Sequence, residues 1–252
     1  MFMSTPVSSD LATPRRALAI GAHPDDIEFG CGATLAKWAD AGCEVHLLVL
    51  TDGSKGTWDA NANISDLITT RQREQRAAAR ELGASEVHFL GHVDGELDSS
   101  LHERAQVCEV IRRTRPDVVL GHDPWKQYRL HPDHRHAGLL TIEGIVAARD
   151  PFFFQDQGLD RHRPTALLLF EAEVVDHIES VDTHLDRKIQ ALLAHESQWI
   201  STHGINGDAN ATRAHDIEIF GAALHDEART AAARHAPGAC EYGEAFKRIT
   251  DL

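Results

Sequence analysis

The feature that most constrains this chain is the alternation, over its first 150 residues, of short apolar runs with longer segments at helical spacing. Residues 17–22 (ALAIGA), 43–50 (CEVHLLVL), 86–90 (EVHFL) and 117–121 (DVVLG) each have the length and apolar density of a buried parallel strand. Between them, residues 33–41, 66–82 and 101–114 read as helices, and Gly83 supplies a stop for the second. A further helix begins near His134. This alternation predicts a mostly parallel sheet covered on both faces, a doubly wound Rossmann-like α/β fold. After about Asp150 the pattern weakens. Residues 165–170 (TALLLF) read as a fifth strand, 181–200 as an amphipathic helix and 211–234 as an Ala-rich helix. Residues 1–15 are expected to form a disordered tail. Residues 16–252 are expected to form one α/β domain, with about 151–252 completing the sheet or forming a cap.

Composition narrows the partners. A formal charge of −14 disfavours nucleic acid and anionic membrane as main partners, because both repel an acidic surface. No apolar run approaches the ~18 residues that span a bilayer. The Ser-, Thr- and Pro-containing start lacks the basic and apolar regions of a secretory signal, so a cytoplasmic location is expected. Cys31, Cys43, Cys108 and Cys240 are scattered without CxxC spacing, which argues for reduced thiols over a disulfide framework. The 17 histidines are too many for one site, so position must decide which of them are functional.

Two motifs carry chemistry. In AHPDDIEFGCG, His23 and Asp26 lie three apart directly after the first strand, where a turn can aim both at one point. Imidazole nitrogen and carboxylate oxygen suit a borderline metal such as zinc. Asp25 sits between them, free to accept a proton from water. For the Asp-Asp pair alone, the competing reading is a helix N-cap. In HPDHRHAG (131–138), His131 and His134 share a helical face and His136 points elsewhere. Asp133 either caps that helix or holds a ligand imidazole through its other nitrogen. In a sheet ordered 3-2-1-4-5 the two motifs follow neighbouring strands, and the crevice between those carboxyl ends is the favoured ligand site. The pairing predicts three ligands and an open coordination position.

At these residues the sequence resembles the LmbE-like, or PIG-L-type, de-N-acetylases, which act on N-acetylglucosaminyl-inositol, related glycosides and chitobiose. The resemblance covers most of the chain. It rests on AHPDD-x-E-x-G-x-G-x-T (22–34) and HPDH (131–134), with support from TDGSKGT (51–57) and R-x-x-E-x-x-x-A from Arg71 to Ala78. Gly91 to Leu97, the stretch from Lys188 to Gln198 and the late Tyr-Gly-Glu-Ala-Phe also match. It implies a zinc-dependent hydrolase that removes acetyl from an N-acetylated amino sugar or small-molecule glycoside. It further implies metal ligands at His23, Asp26 and His134, with Asp25 as general base. His131 would stabilise the oxyanion or protonate the leaving amine. Arg71 and Asp94 match sugar-contacting positions, each against a structural alternative. His195 would contact substrate in its own site or, in a homo-oligomer, in that of a neighbouring subunit; a core histidine is the alternative. Tyr128 and Arg129, in KQYRL (126–130), depart from the family pattern at the pocket rim. Three other readings compete: an amidase for a larger amide such as a thiol–sugar conjugate, a non-catalytic metal-binding protein, and a nucleotide-binding domain. The last is weakened by the lack of GxGxxG.

Overall fold

The computed structural model describes residues 7–206 and 210–252. Its strands are β1 (Ser8–Ser9), β2 (Arg16–Gly21), β3 (Glu44–Thr51), β4 (Glu86–His92), β5 (Val118–His122), β6 (Ala166–Phe170), β7 (His177–Ser180) and β8 (Gly243–Ile249). The helices are α1 (Asp26–Asp40), α2 (Ile64–Leu82), α3 (Leu101–Thr114), α4 (Pro132–Arg149), α5 (Leu185–Leu193) and α6 (Asn210–His235). All eight strands join one sheet, ordered β1-β7-β8-β6-β5-β2-β3-β4. Strands β4, β3, β2, β5 and β6 are parallel, so the first and fourth predicted strands are neighbours, as the motif argument required.

The sheet is covered on both faces because its central strands are apolar on both. Ala17, Ala19, Leu47 and Val49 pack with Ile27 and Leu35 of α1, Ala78 and Leu82 of α2 and Ala191 of α5. The alternate residues Leu18, Ile20 and Leu48 pack with Val107 and Ile111 of α3 and Leu140 and Ile145 of α4. A third cluster joins α5 to α6 through Leu185, Leu192, Phe220 and Leu224. Burying a side chain of this kind contributes about 1.5–3 kcal/mol.

The structure departs from expectation at the tail and in the last third. Residues 1–6 of the expected disordered tail lie outside the described residues, but 7–15 are placed against the sheet. Ser8–Ser9 pairs with His177 and Ile178. The cause lies in β7, where His177 and Glu179 are fully buried and paired at 2.8 Å. Ser8 Oγ meets His177 Nδ1 at 2.8 Å, and the Leu11 amide donates to Glu179 at 2.8 Å. The tail therefore satisfies polar groups that would otherwise be buried without full pairing. The last third completes the sheet, with β8 antiparallel to β6 and β7. The helix expected over 181–200 is shorter, ending at Leu193. A 3-10 turn (Glu196–Gln198) and a π-helical turn (Trp199–His203) follow, bringing the Ser197 amide and hydroxyl onto Glu74 of α2 at 3.0 and 2.6 Å.

Candidate active site

Beyond Gly21, β2 ends in a tight turn that launches α1. The His23 amide donates to Asp26 Oδ2 at 2.7 Å, and the Asp26 amide returns to His23 O at 3.3 Å. Asp25 sits at φ 107°, a region that non-glycine residues rarely adopt and that costs on the order of 1–3 kcal/mol. Two residues one turn apart on α2 hold it there. Gln75 Oε1 accepts from the Asp25 amide at 3.0 Å, and Arg71 donates to Pro24 O at 2.6 Å and to Gly53 O at 3.0 Å. The Gly53 and Gly56 backbones approach the guanidinium so closely that a Cβ at either position would collide with it. The Asp25 side chain makes no capping hydrogen bond, so its N-cap alternative is not realised.

Strapped in this way, the turn aims His23 and Asp26 at the residues following β5. His23 Nδ1 lies 3.2 Å from Asp26 Oδ2, and His134 Nε2 lies 3.2 Å from Asp26 Oδ1. The His23 and His134 ring centroids are 5.2 Å apart. His131 caps α4, its Nδ1 accepting from the Asp133 amide at 3.3 Å. Its neutral ring then carries the proton on Nε2. The His131 ring lies 4.5 Å from that of His23. Asp133, fully buried, approaches His23 Nε2 at 3.1 Å and accepts from the Gly95 and Leu97 amides. Asp94 approaches the same nitrogen at 3.2 Å. Of the two alternatives for Asp133, its side chain takes the imidazole-holding one.

Electrostatics separates these groups. Burial opposes charge on Asp26, but His134, His122 and His23 outweigh it and hold the carboxyl well below the usual range. Burial pushes Asp25 the other way, up to about 6, against the pull of Arg71, whose Nη2 is 3.5 Å away. Despite their own burial, His23 is raised well above its ordinary value and His134 to about 9, chiefly by Asp26. Burial lowers His131, as do His23 and His134. Surroundings that draw protons onto His23 and His134 would draw a cation in their place. With three imidazoles within 3.3 Å of one partly buried carboxylate, the donor set fits a borderline divalent cation.

These residues line a cavity of ≈ 590 Å³, within the range of small-molecule sites. His23, Asp25, Asp26, Asp94, His131 and His134 all border it. So does Arg71, although its Nη atoms hold backbone carbonyls and its buried Nε is unpaired. His195 is the correction. Fully buried, with its Nε2 3.7 Å from Glu28, it does not border the cavity. The chain turns inward after Leu193 and leaves Gln198 at the cavity wall instead, donating to Gly56 O at 3.0 Å.

Residues 18–145 match the PIG-L family profile, described as GlcNAc-PI de-N-acetylase. The chain belongs to the PIG-L family. Among its relatives, diacetylchitobiose deacetylase of Thermococcus kodakarensis is 37% identical over 188 residues, 73% of this chain and 70% of that protein. The 1D-myo-inositol 2-acetamido-2-deoxy-alpha-D-glucopyranoside deacetylase of Kineococcus radiotolerans is 32% identical over 55% of this chain and 46% of its own length. The N,N'-diacetylchitobiose deacetylase structure from Pyrococcus horikoshii superposes with a TM-score of 0.80 at 29% identity, covering 94% of this chain and 84% of that one.

The PIG-L motifs read from sequence omitted three residues of the site. His122, the last residue of β5, places Nε2 3.3 Å from Asp26 and Nδ1 3.3 Å from Glu171. Glu171 follows β6, and its other oxygen pairs with Arg129 at 3.0 Å. Arg129, read only as a rim residue, also reaches inward to donate to His134 Nδ1 at 2.9 and 2.6 Å. A polar side chain closing an apolar strand was the available signal for His122 and Glu171. Tyr128, by contrast, is exposed.

Proposed function

We propose that this PIG-L protein is a zinc-dependent N-deacetylase of an N-acetylated amino sugar or glycoside, with His23, Asp26 and His134 as metal ligands. The observation that carries this reading is the contrast on the cavity wall between Asp26, surrounded by imidazoles, and Asp25, buried beside a single guanidinium. The relatives named for diacetylchitobiose and glucopyranoside deacetylation support the substrate class. The family resemblance and the two-imidazole, one-carboxylate set support zinc.

When bound, the cation supplies Lewis acidity towards water and the acetyl carbonyl. The remaining chemistry falls to the chain. Asp25 takes the proton of a water as its oxygen adds to the acetyl carbon. His131, protonated at Nε2, donates to the developing oxyanion. The C–N bond breaks, the nitrogen takes a proton from Asp25 or His131, and acetate and the free amine leave. Arg71 fixes the Asp25 turn, while Asp94 and the loop of Gly53 to Thr57 face the sugar. The test is acetate release by metal-loaded protein from N-acetylglucosamine, diacetylchitobiose and N-acetylglucosaminyl-inositol, against bulkier N-acyl conjugates. Acetate and amine formed in equal amounts from the small glycosides support the reading. Turnover restricted to bulky amides replaces it with the larger-amide alternative, and no turnover removes it.

A further inference from the structure

A second group of metal-type donors lies at the opposite end of the sheet. The tripeptide Glu-Val-His opens two strands, as Glu44-Val45-His46 in β3 and Glu86-Val87-His88 in β4. These strands run parallel with His46 beside Glu86 and Leu48 beside His88, so the repeat is offset by two residues. An offset of two preserves the face of the sheet. His46, Glu86 and His88 therefore project together, on the side carrying Leu48, while Val45 and Val87 face the other core. The catalytic cavity lies at the carboxyl ends of the strands. His46 is separated from it by about 15 Å of β3.

The geometry points to a site for a divalent transition metal formed by His46 Nδ1, His88 Nε2 and Glu86 Oε2. The two nitrogens are 3.5 Å apart, and the carboxylate oxygen lies 3.9 Å from the first and 3.7 Å from the second. A point equidistant from these three atoms is about 2.1 Å from each, the length of a zinc–nitrogen or zinc–carboxylate bond. The ring planes differ by 23° and the centroids are 5.7 Å apart, so the nitrogens face one another across the gap.

Glu44 adds an independent observation. Its Oε1 lies 3.2 Å from His46 Nε2, which places the proton there and leaves the lone pair on Nδ1. A carboxylate behind a ligand imidazole is the usual way such a ring is oriented. His46 is buried, whereas His88 is half-buried and Glu86 is exposed at the sheet edge, so a cation can enter from solvent and complete its coordination with water. Two imidazoles and one carboxylate select zinc, nickel, cobalt or copper over magnesium and calcium. Such an ion would tie edge strand β4 to β3.

The test is equilibrium dialysis of the full chain against Zn2+, with bound metal counted by elemental analysis in excess Mg2+. The wild type should bind two equivalents. His88→Ala and Glu86→Gln, both at the edge and outside the catalytic machinery, should each bind one fewer and keep deacetylase turnover within twofold. His134→Ala should lose the other equivalent and keep this one. A wild-type chain that binds no more than His88→Ala overturns the site, as does a second equivalent that survives both edge substitutions.

Discussion

Asp25 and Asp26 are consecutive carboxylates in opposite electrostatic situations: Asp26 has three imidazole nitrogens within 3.3 Å, whereas Asp25 has the Arg71 guanidinium at 3.5 Å. Two groups of one chemical type whose surroundings push their proton affinities apart can divide two roles between them. The left-handed Asp25 backbone makes this possible by turning one carboxylate away from the direction taken by the next.

Arg71 holds that backbone, and replacing it should disturb both fold and rate. Arg71→Met leaves the carbonyls of Pro24 and Gly53 without their charged donor. A loss of about 2–4 kcal/mol is expected, read from the denaturant midpoint. Arg71→Lys should recover only part of it, because an ammonium cannot bridge two carbonyls as a planar fork does.

His134 has two claimants for its Nδ1: Arg129 donates to it at 2.6 Å, while Glu171 Oε2 lies 3.7 Å away. Giving the Nε2 lone pair to a cation requires the proton on Nδ1, and only Glu171 can accept it. Glu171→Ala should therefore weaken metal affinity by about 10–100-fold. Arg129→Ala should leave affinity equal or tighter. Competition with a chromophoric chelator measures both, and a large loss in Arg129→Ala would reverse the assignment.

His203 gives a pH-dependent term in stability. It stacks on Phe220 at 4.8 Å and meets Phe29 edge-on at 5.5 Å, with neither ring nitrogen paired. Burial, then the charges of His195 and Arg71, lower it to about 3. The unfolded chain takes up this proton as pH falls below about 6.5, while the folded chain resists until about 3. Stability is thus fully present above pH 6.5 and declines below it, by at most about 1.4 kcal/mol per pH unit from this group. His203→Phe should gain relative to wild type as pH is lowered from 6.5 to about 4. A constant difference across that range would contradict the reading.

Gly30 should tolerate no side chain. A Cβ there would lie 2.5 Å from the Phe170 ring at the end of β6. Gly30→Ala is expected to cost about 1–3 kcal/mol, seen as a lowered Tm.

The parallel sheet was legible because the interiors of β2, β3 and β5 are buried apolar runs, and the convergence of the two motifs followed from the neighbouring positions of β2 and β5. The edge was harder to read. In β7, a buried His177–Glu179 pair replaces the apolar pattern that marks a strand, and the docked tail together with Lys37 of α1 makes that burial tolerable. His122 and Glu171 belong to no local motif, since the β5–β6 register alone brings them together. His195 misled because the AHESQ segment does reach the site, through Gln198 three residues on.

The division of labour between the adjacent carboxylates is tested most directly by measuring bound metal and deacetylase turnover for Asp25→Asn and Asp26→Asn side by side. Asp25→Asn should keep its metal and lose about 10²–10⁴-fold in kcat, the usual worth of a general base. Asp26→Asn should lose metal and turnover together. Near-normal turnover in metal-loaded Asp25→Asn, or full metal content in Asp26→Asn, would contradict the account.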